Sequence, residues 1–142
     1  MINFLRSIFG MKPVYKVVKV SDGDTLKTKE IGTVRIRGLD APELKQKGGL
    51  EAKAYLEEIL KNSGMKVTMD IHDRDKYGRT LATVYVFGID IVEIMLSGGQ
   101  GWRFMDKGKY ASQEALAKSK RKGVHAGRQE KPEDYRRRMK RV

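Results

Sequence analysis

Five short runs rich in β-branched and aromatic residues, interrupted once by a helical stripe, restrict this chain to very few folds. Val14 to Val20 is the first run, and Asp22-Gly23-Asp24 closes it with turn chemistry. Thr25 to Lys29 and Thr33 to Leu39 follow, turning near Ile31-Gly32. In the third run Val34 and Ile36 alternate with Arg35 and Arg37, so both arginines stand on the face opposite the apolar pair. Ala52, Tyr55, Leu56, Ile59 and Leu60 then fall at i, i+3, i+4, i+7 and i+8, which predicts a helix ending at Asn62-Ser63-Gly64. Met65 to Ile71 and Thr80 to Phe87 supply the last two strands. Short helices are predicted around Ile91 to Met95 and over 112–122. Three strands, a helix and two strands is the order of a five-stranded Greek-key OB barrel, mainly β with about three helices (α+β).

The 142 residues suffice for one such domain, and a second core of useful size would need a longer chain. The absence of cysteine excludes disulfides, thiolate zinc sites and cysteine nucleophiles. His72 and His125, the only histidines, have no partner at metal-ligand spacing. No apolar run approaches the length of a bilayer span. The first residues, MINFLRSIFGM, are too broken for a signal sequence, and 1–12 reads as an apolar, loosely docked tail.

The formal net charge of +12 is unevenly spread. Residues 103–142 carry 14 Lys+Arg against 5 Asp+Glu, whereas the longer preceding part is nearly balanced. The expected organisation is a domain over 13–127 and a basic tail over 128–142 that touches phosphates without reading sequence. A solvated, frayed end is the plainer reading of the same charge run.

Three short segments carry the chemistry. Asp22-Gly23-Asp24-Thr25 follows the first strand, Asp40-Ala41-Pro42-Glu43 follows the third, and Asp75-Lys76-Tyr77-Gly78-Arg79 precedes the fifth. Each alone reads as a turn or strand exit, Asp-Gly in particular suiting the positive φ of a hairpin. Together, at strand ends that meet in a small barrel, they bring the carboxylates of Asp24, Asp40 and Glu43 to the guanidinium groups of Arg35 and Arg79. A divalent-cation site beside an anion clamp is what phosphodiester hydrolysis requires.

These segments, with Arg35-Ile36-Arg37-Gly38-Leu39 leading into the second, resemble the staphylococcal nuclease (thermonuclease) family from about Val14 to Gly127. The resemblance implies a calcium-dependent nuclease acting on DNA and RNA with little sequence specificity, leaving products with a 3′-phosphate. It implies calcium on Asp24, Asp40 and the backbone carbonyl of Ala41, with Asp22 supporting them from behind. It implies Arg35 and Arg79 as the phosphate clamp and Glu43 as the group that takes the water's proton or orients the water. No obligate protein partner is evident, and a monomer is expected.

Trp102, Phe104 and Tyr110 are candidates for stacking on bases, and each could equally be a core or hinge residue. His125 stands where many family members have Trp, which leaves the packing of that end open. A non-catalytic OB-fold module that only binds nucleic acid is the main alternative. A basic adhesion or scaffold module is another, but it leaves the acidic cluster unexplained.

Overall fold

In the computed structural model, which describes residues 2–141, the strand runs close on themselves. The barrel strands are β1 (Tyr15–Asp22), β2 (Thr25–Thr28), β3 (Gly32–Ile36), β5 (Lys66–Arg74) and β6 (Thr80–Val86). Short pieces β4 (Leu39–Asp40), β7 (Ile89–Asp90) and β8 (Trp102–Arg103) lie outside the closed ring. β1 pairs antiparallel with β2 and with β5, β2 with β3, and β5 with β6. The parallel pairing of β3 with β6, Val34 opposite Thr80 and Ile36 opposite Ala82, closes the barrel. Closure removes the exposed strand edges that an open five-stranded sheet would carry.

β1 serves two partners because it bends. Its first residues face β5 and its later ones face β2, with register shifts between Val17 and Lys19 and between Val20 and Asp22. Such bulges bend a strand at barrel corners. The predicted third strand, Thr33 to Leu39, is cut at Ile36: Leu39 and Asp40 turn away as β4 to pair with Arg103 and Trp102 of β8. That break steers Asp40 out of the barrel wall toward Asp24.

Helix α2 (Gly49–Asn62) buries Ala52, Leu56 and Leu60 against the barrel, the i, i+4, i+8 stripe of the sequence. Leu56 has no exposed surface, so Leu56→Ala leaves a cavity and is expected to cost about 2–5 kcal/mol. Urea unfolding followed by circular dichroism measures this, and a loss below about 1 kcal/mol would contradict the packing.

Five α-helices are described rather than about three. α3 (Ile91–Ser97) and α4 (Ala111–Ser119) match the predicted second and third helices, the latter ending three residues earlier than expected. The two additional ones are α1 (Ile2–Ile8) and α5 (Pro132–Met139), at the ends read from sequence as tails. α5 has its own local logic. Pro132 occupies the first turn, Glu133 and Asp134 sit at the positive end of the helix dipole, and Arg136, Arg137 and Arg138 sit at the negative end. Arg137 also pairs with Glu133 at 3.1 Å, one turn back. The basic run at the end of the chain thus forms an ordered helix. Among the described residues, no helix is long and apolar enough to cross a membrane.

Candidate active site

The site is built where β1 turns into β2 and β3 exits into β4. Asp22 Oδ1 accepts the N–H of Asp24 at 3.0 Å, which fixes the turn and aims the Asp24 carboxylate inward. Gly23 is not among the glycines at positive φ; it is there for space. A Cβ on it would lie 2.7 Å from the Ala41 methyl and 2.8 Å from that of Ala52. Only a glycine lets the turn close on both the β4 exit and α2.

The buried Asp24 carboxylate is held at both oxygens. Thr25 Oγ1 donates to Oδ1 at 3.0 Å, and the Ala41 N–H donates to Oδ2 at 2.9 Å. Arg35 lies between Asp24 and Asp40, its Nη2 3.5 Å from Asp24 Oδ2 and 3.8 Å from Asp40 Oδ1. Its Nη1 donates to the carbonyls of Ile36 at 2.6 Å and Leu39 at 2.7 Å, so the guanidinium is tied to the backbone where β3 breaks. The alternation that put Arg35 opposite Val34 and Ile36 thus delivers it to the carboxylates.

Burial pushes the Asp24 carboxyl up to about 7, the neighbouring Arg35 opposing it and Asp22 reinforcing it. Burial also raises the Asp40 carboxyl, against the opposing charges of Arg136 and Arg35. Arg35 lies against both carboxylates, and Arg136 adds its charge chiefly at Asp40. The four acids Asp22, Asp24, Asp40 and Glu43 therefore outnumber these two guanidinium groups. Among the described residues, no group of three or more His, Cys, Asp or Glu side chains is arranged to hold a metal ion. The oxygen donors at hand are the two carboxylates of Asp24 and Asp40. That set fits calcium, which completes a loose oxygen shell with carbonyls and waters, and it offers nothing to a softer metal.

Of the five side chains expected to meet, Asp24, Asp40 and Arg35 are in direct contact; Glu43 and Arg79 make other primary contacts. Arg79 Nε binds Asp75 Oδ2 at 2.6 Å within its own loop. Asp75 Oδ1 in turn accepts the N–H groups of Tyr77 at 2.9 Å and Arg79 at 3.0 Å. Burial raises the Asp75 carboxyl, but the bonds from Arg79 and Tyr77 outweigh it and hold it below the ordinary carboxylate range. The loop is thus a rigid mount for Arg79. Arg35 and Arg79 both line an open groove of about 600 Å³, with Tyr77 and Phe104 on its walls. Arg35 both touches the acidic pair and lines the groove.

Glu43 is held from two sides. Its N–H donates to Gln46 Oε1 at 2.9 Å, and its Oε1 accepts from Arg136 Nη1 of α5. Gly49 packs so closely that a Cβ on it would meet the Glu43 carbonyl at 2.0 Å, so the start of α2 clamps this loop. Sequence reasoning missed Gln46 and Arg136. Gln46 carries no motif, and Arg136 was one of several interchangeable charges in a basic run.

The three stacking candidates separate. Tyr110 is buried and its hydroxyl donates to Asp90 Oδ2 at 2.5 Å, so the ring belongs to the core and has no face for a base. Burial and that bond both raise its phenol pKa. Trp102 is buried too: its backbone pairs with Asp40 and its ring meets His125 edge-on at 6.2 Å. His125 thereby closes the end whose packing the sequence left open. Of the three, Phe104, 44% exposed and 6.0 Å from the Arg35 guanidinium carbon, presents its ring to the groove.

Comparison with known proteins places the chain in a family. Residues 33–126 match the family model described as staphylococcal nuclease homologue. The probable staphylococcal-like nuclease CAN3 of Oryza sativa subsp. japonica is 36% identical over 127 residues, covering 87% of this chain and 33% of that protein. The staphylococcal-like nuclease CAN1 of Arabidopsis thaliana is 29% identical over 126 residues, 86% of this chain and 38% of that protein. An uncharacterized endonuclease of Escherichia coli O157:H7 is 33% identical over 91 residues, 61% of this chain and 58% of that protein. The chain spans about a third of the length of the plant relatives it matches. With more than half of its residues inside the matched domain, the chain belongs to the staphylococcal nuclease homologue family.

Proposed function

We propose that this protein is a calcium-dependent nuclease that hydrolyses phosphodiester bonds in DNA and RNA with little sequence specificity. The observation that carries the reading is Arg35, which joins the carboxylates of buried Asp24 and half-buried Asp40 to a groove lined by a second arginine. Relatives named nuclease and endonuclease support the same reaction class.

A phosphodiester arrives with one negative charge, and attack by water adds another. Arg79 offers its terminal nitrogens as a planar pair matched to the non-bridging oxygens. Arg35, with Nη1 spent on the Ile36 and Leu39 carbonyls, adds its fixed positive charge at the edge of the groove. Asp24, Asp40 and the Ala41 carbonyl would hold calcium, which supplies further positive charge against the phosphate. Glu43 takes the water's proton or aligns the water on phosphorus. The new O–P bond forms as the P–O5′ bond breaks, the 5′ oxygen picks up a proton, and the other product keeps a 3′-phosphate. Because the charged groups are fixed before substrate enters, they oppose the growing charge without reorganising. Phe104 offers a stacking face to a base beside the clamp.

The direct test is digestion of plasmid DNA and of RNA with calcium and then with excess chelator. Cleavage with calcium that stops on chelation is expected. Folded protein that cuts neither substrate would leave the binding-module reading in its place.

A further inference from the structure

We propose that Arg136 is a positioning residue for Glu43, supplied by a C-terminal segment outside the part of the chain that the family model covers. The inference rests on the nuclease reading above. The contact is part of a wider attachment. Gln46 is buried and bridges the two segments: its Oε1 accepts the Glu43 N–H while its Nε2 donates to the Glu130 carbonyl. Gln129 Nε2 adds a bond to the Lys47 carbonyl at 2.9 Å, and Pro132 is buried at the start of α5. Arg138 grips Glu130 through Nε at 3.1 Å and Nη2 at 3.0 Å, fixing the approach of the helix. The same glutamine therefore anchors the backbone of Glu43 and the segment that delivers Arg136 to its side chain.

Charge explains why a cation is needed there. Asp22, Asp24, Asp40 and Glu43 crowd this end of the barrel, and Arg35 is committed to Asp24 and Asp40. Without a second cation Glu43 would be repelled by Asp40 and would swing outward. Arg136 holds it through Oε1 and leaves Oε2 to a water. A free glutamate side chain loses rotamer freedom when it is ordered, and the ion pair meets that cost before substrate binds. The pair is partly exposed, 47% on Arg136 and 33% on Glu43, so it adds little to folding stability and its effect is kinetic.

The test compares Arg136→Ala, Arg136→Lys and Arg141→Ala in the full-length chain, with circular dichroism as a check on folding. A fluorescent single-stranded DNA at saturating calcium separates kcat from KM. Arg136→Ala is expected to lower kcat about tenfold with KM nearly unchanged, an effect that persists at raised salt. Arg136→Lys should recover much of the loss, since a charge in the same place still holds Glu43. Arg141→Ala, which removes the same charge from the same phosphate-touching segment, should raise KM at low salt and show none of the kcat loss of Arg136→Ala. An unchanged kcat in Arg136→Ala would overturn the proposal. So would an effect confined to KM that salt abolishes, which marks mere attraction of substrate, or a rise in kcat, which marks an inhibitory latch. Wild-type protein without calcium-dependent cleavage would overturn the nuclease reading itself, and this proposal with it.

Discussion

Asp40→Asn and Arg79→Ala are each expected to lower kcat by roughly two to four orders of magnitude while leaving the fold intact. Asp40 sits at the break between β3 and β4, where its backbone pairs with Trp102 whatever its side chain carries. Asparagine keeps the shape and removes the charge that Arg35 and calcium would share. Arg79 is partly exposed and bonds only within its own loop in the contacts that fix it, so alanine there frees Asp75 into solvent. Surface pairs of that kind contribute ~0–1 kcal/mol, which keeps the folding cost small. On the proposed mechanism the phosphate meanwhile loses one of its two arginines. Single-turnover cleavage of a labelled oligonucleotide, beside thermal melts of both variants, measures the two effects separately. Wild-type turnover in both would remove these residues from the site.

Asp24→Asn is expected to do the opposite to stability: in the presence of chelator it should make the folded protein more stable at pH 7, on the order of 2–4 kcal/mol. The Asp24 carboxyl rises from 3.8 to about 7 on folding, chiefly because it is buried. The native state therefore binds a proton more readily than the unfolded chain. The stability associated with this group is greatest below pH 4, declines as pH rises toward 7 and is flat above that. Below pH 4 the trend reverses, because Asp75, Asp106, Glu114 and Glu130 have lowered values and lose their native contribution on protonation. Asparagine fits the existing bonds, its carbonyl accepting from Ala41 and its amide donating to a rotated Thr25 hydroxyl. Guanidinium unfolding between pH 5 and 8 in chelator measures the slope. Stability that rises across that window, or a destabilised Asp24→Asn, would sink the account. Calcium should raise the midpoint of the wild type by mass action and leave Asp24→Asn nearly unmoved.

The barrel was legible because its determinants are local. The alternation Val34-Arg35-Ile36-Arg37 fixed which face of β3 turns inward, and the Ala52–Leu56–Leu60 spacing placed α2. The grouping of Asp24, Asp40 and Arg35 was legible too, since each lies at the end of a strand or within one whose register follows from that pattern. Tyr110 and Trp102 were not. Aromatic rings suit a groove wall and a core equally well, and only the positions of Asp90 and His125 assign them to the interior. Gly23 looked like a turn glycine and is a packing glycine, a distinction that depends on Ala41 and Ala52, distant in sequence.

The overall charge illustrates the same division. Sequence alone determined that the excess positive charge lies in the last third of the chain and that the matched carboxylates and arginines lie in the balanced part. Tertiary structure decided that one charge of the basic run, Arg136, is set against Glu43 while Arg137 stays within its own helix. Charge is a property of composition and can be counted along a chain. Which charges meet depends on contacts between residues more than ninety positions apart, and those exist only once Gln46, Glu130 and Pro132 have fixed how the last helix docks.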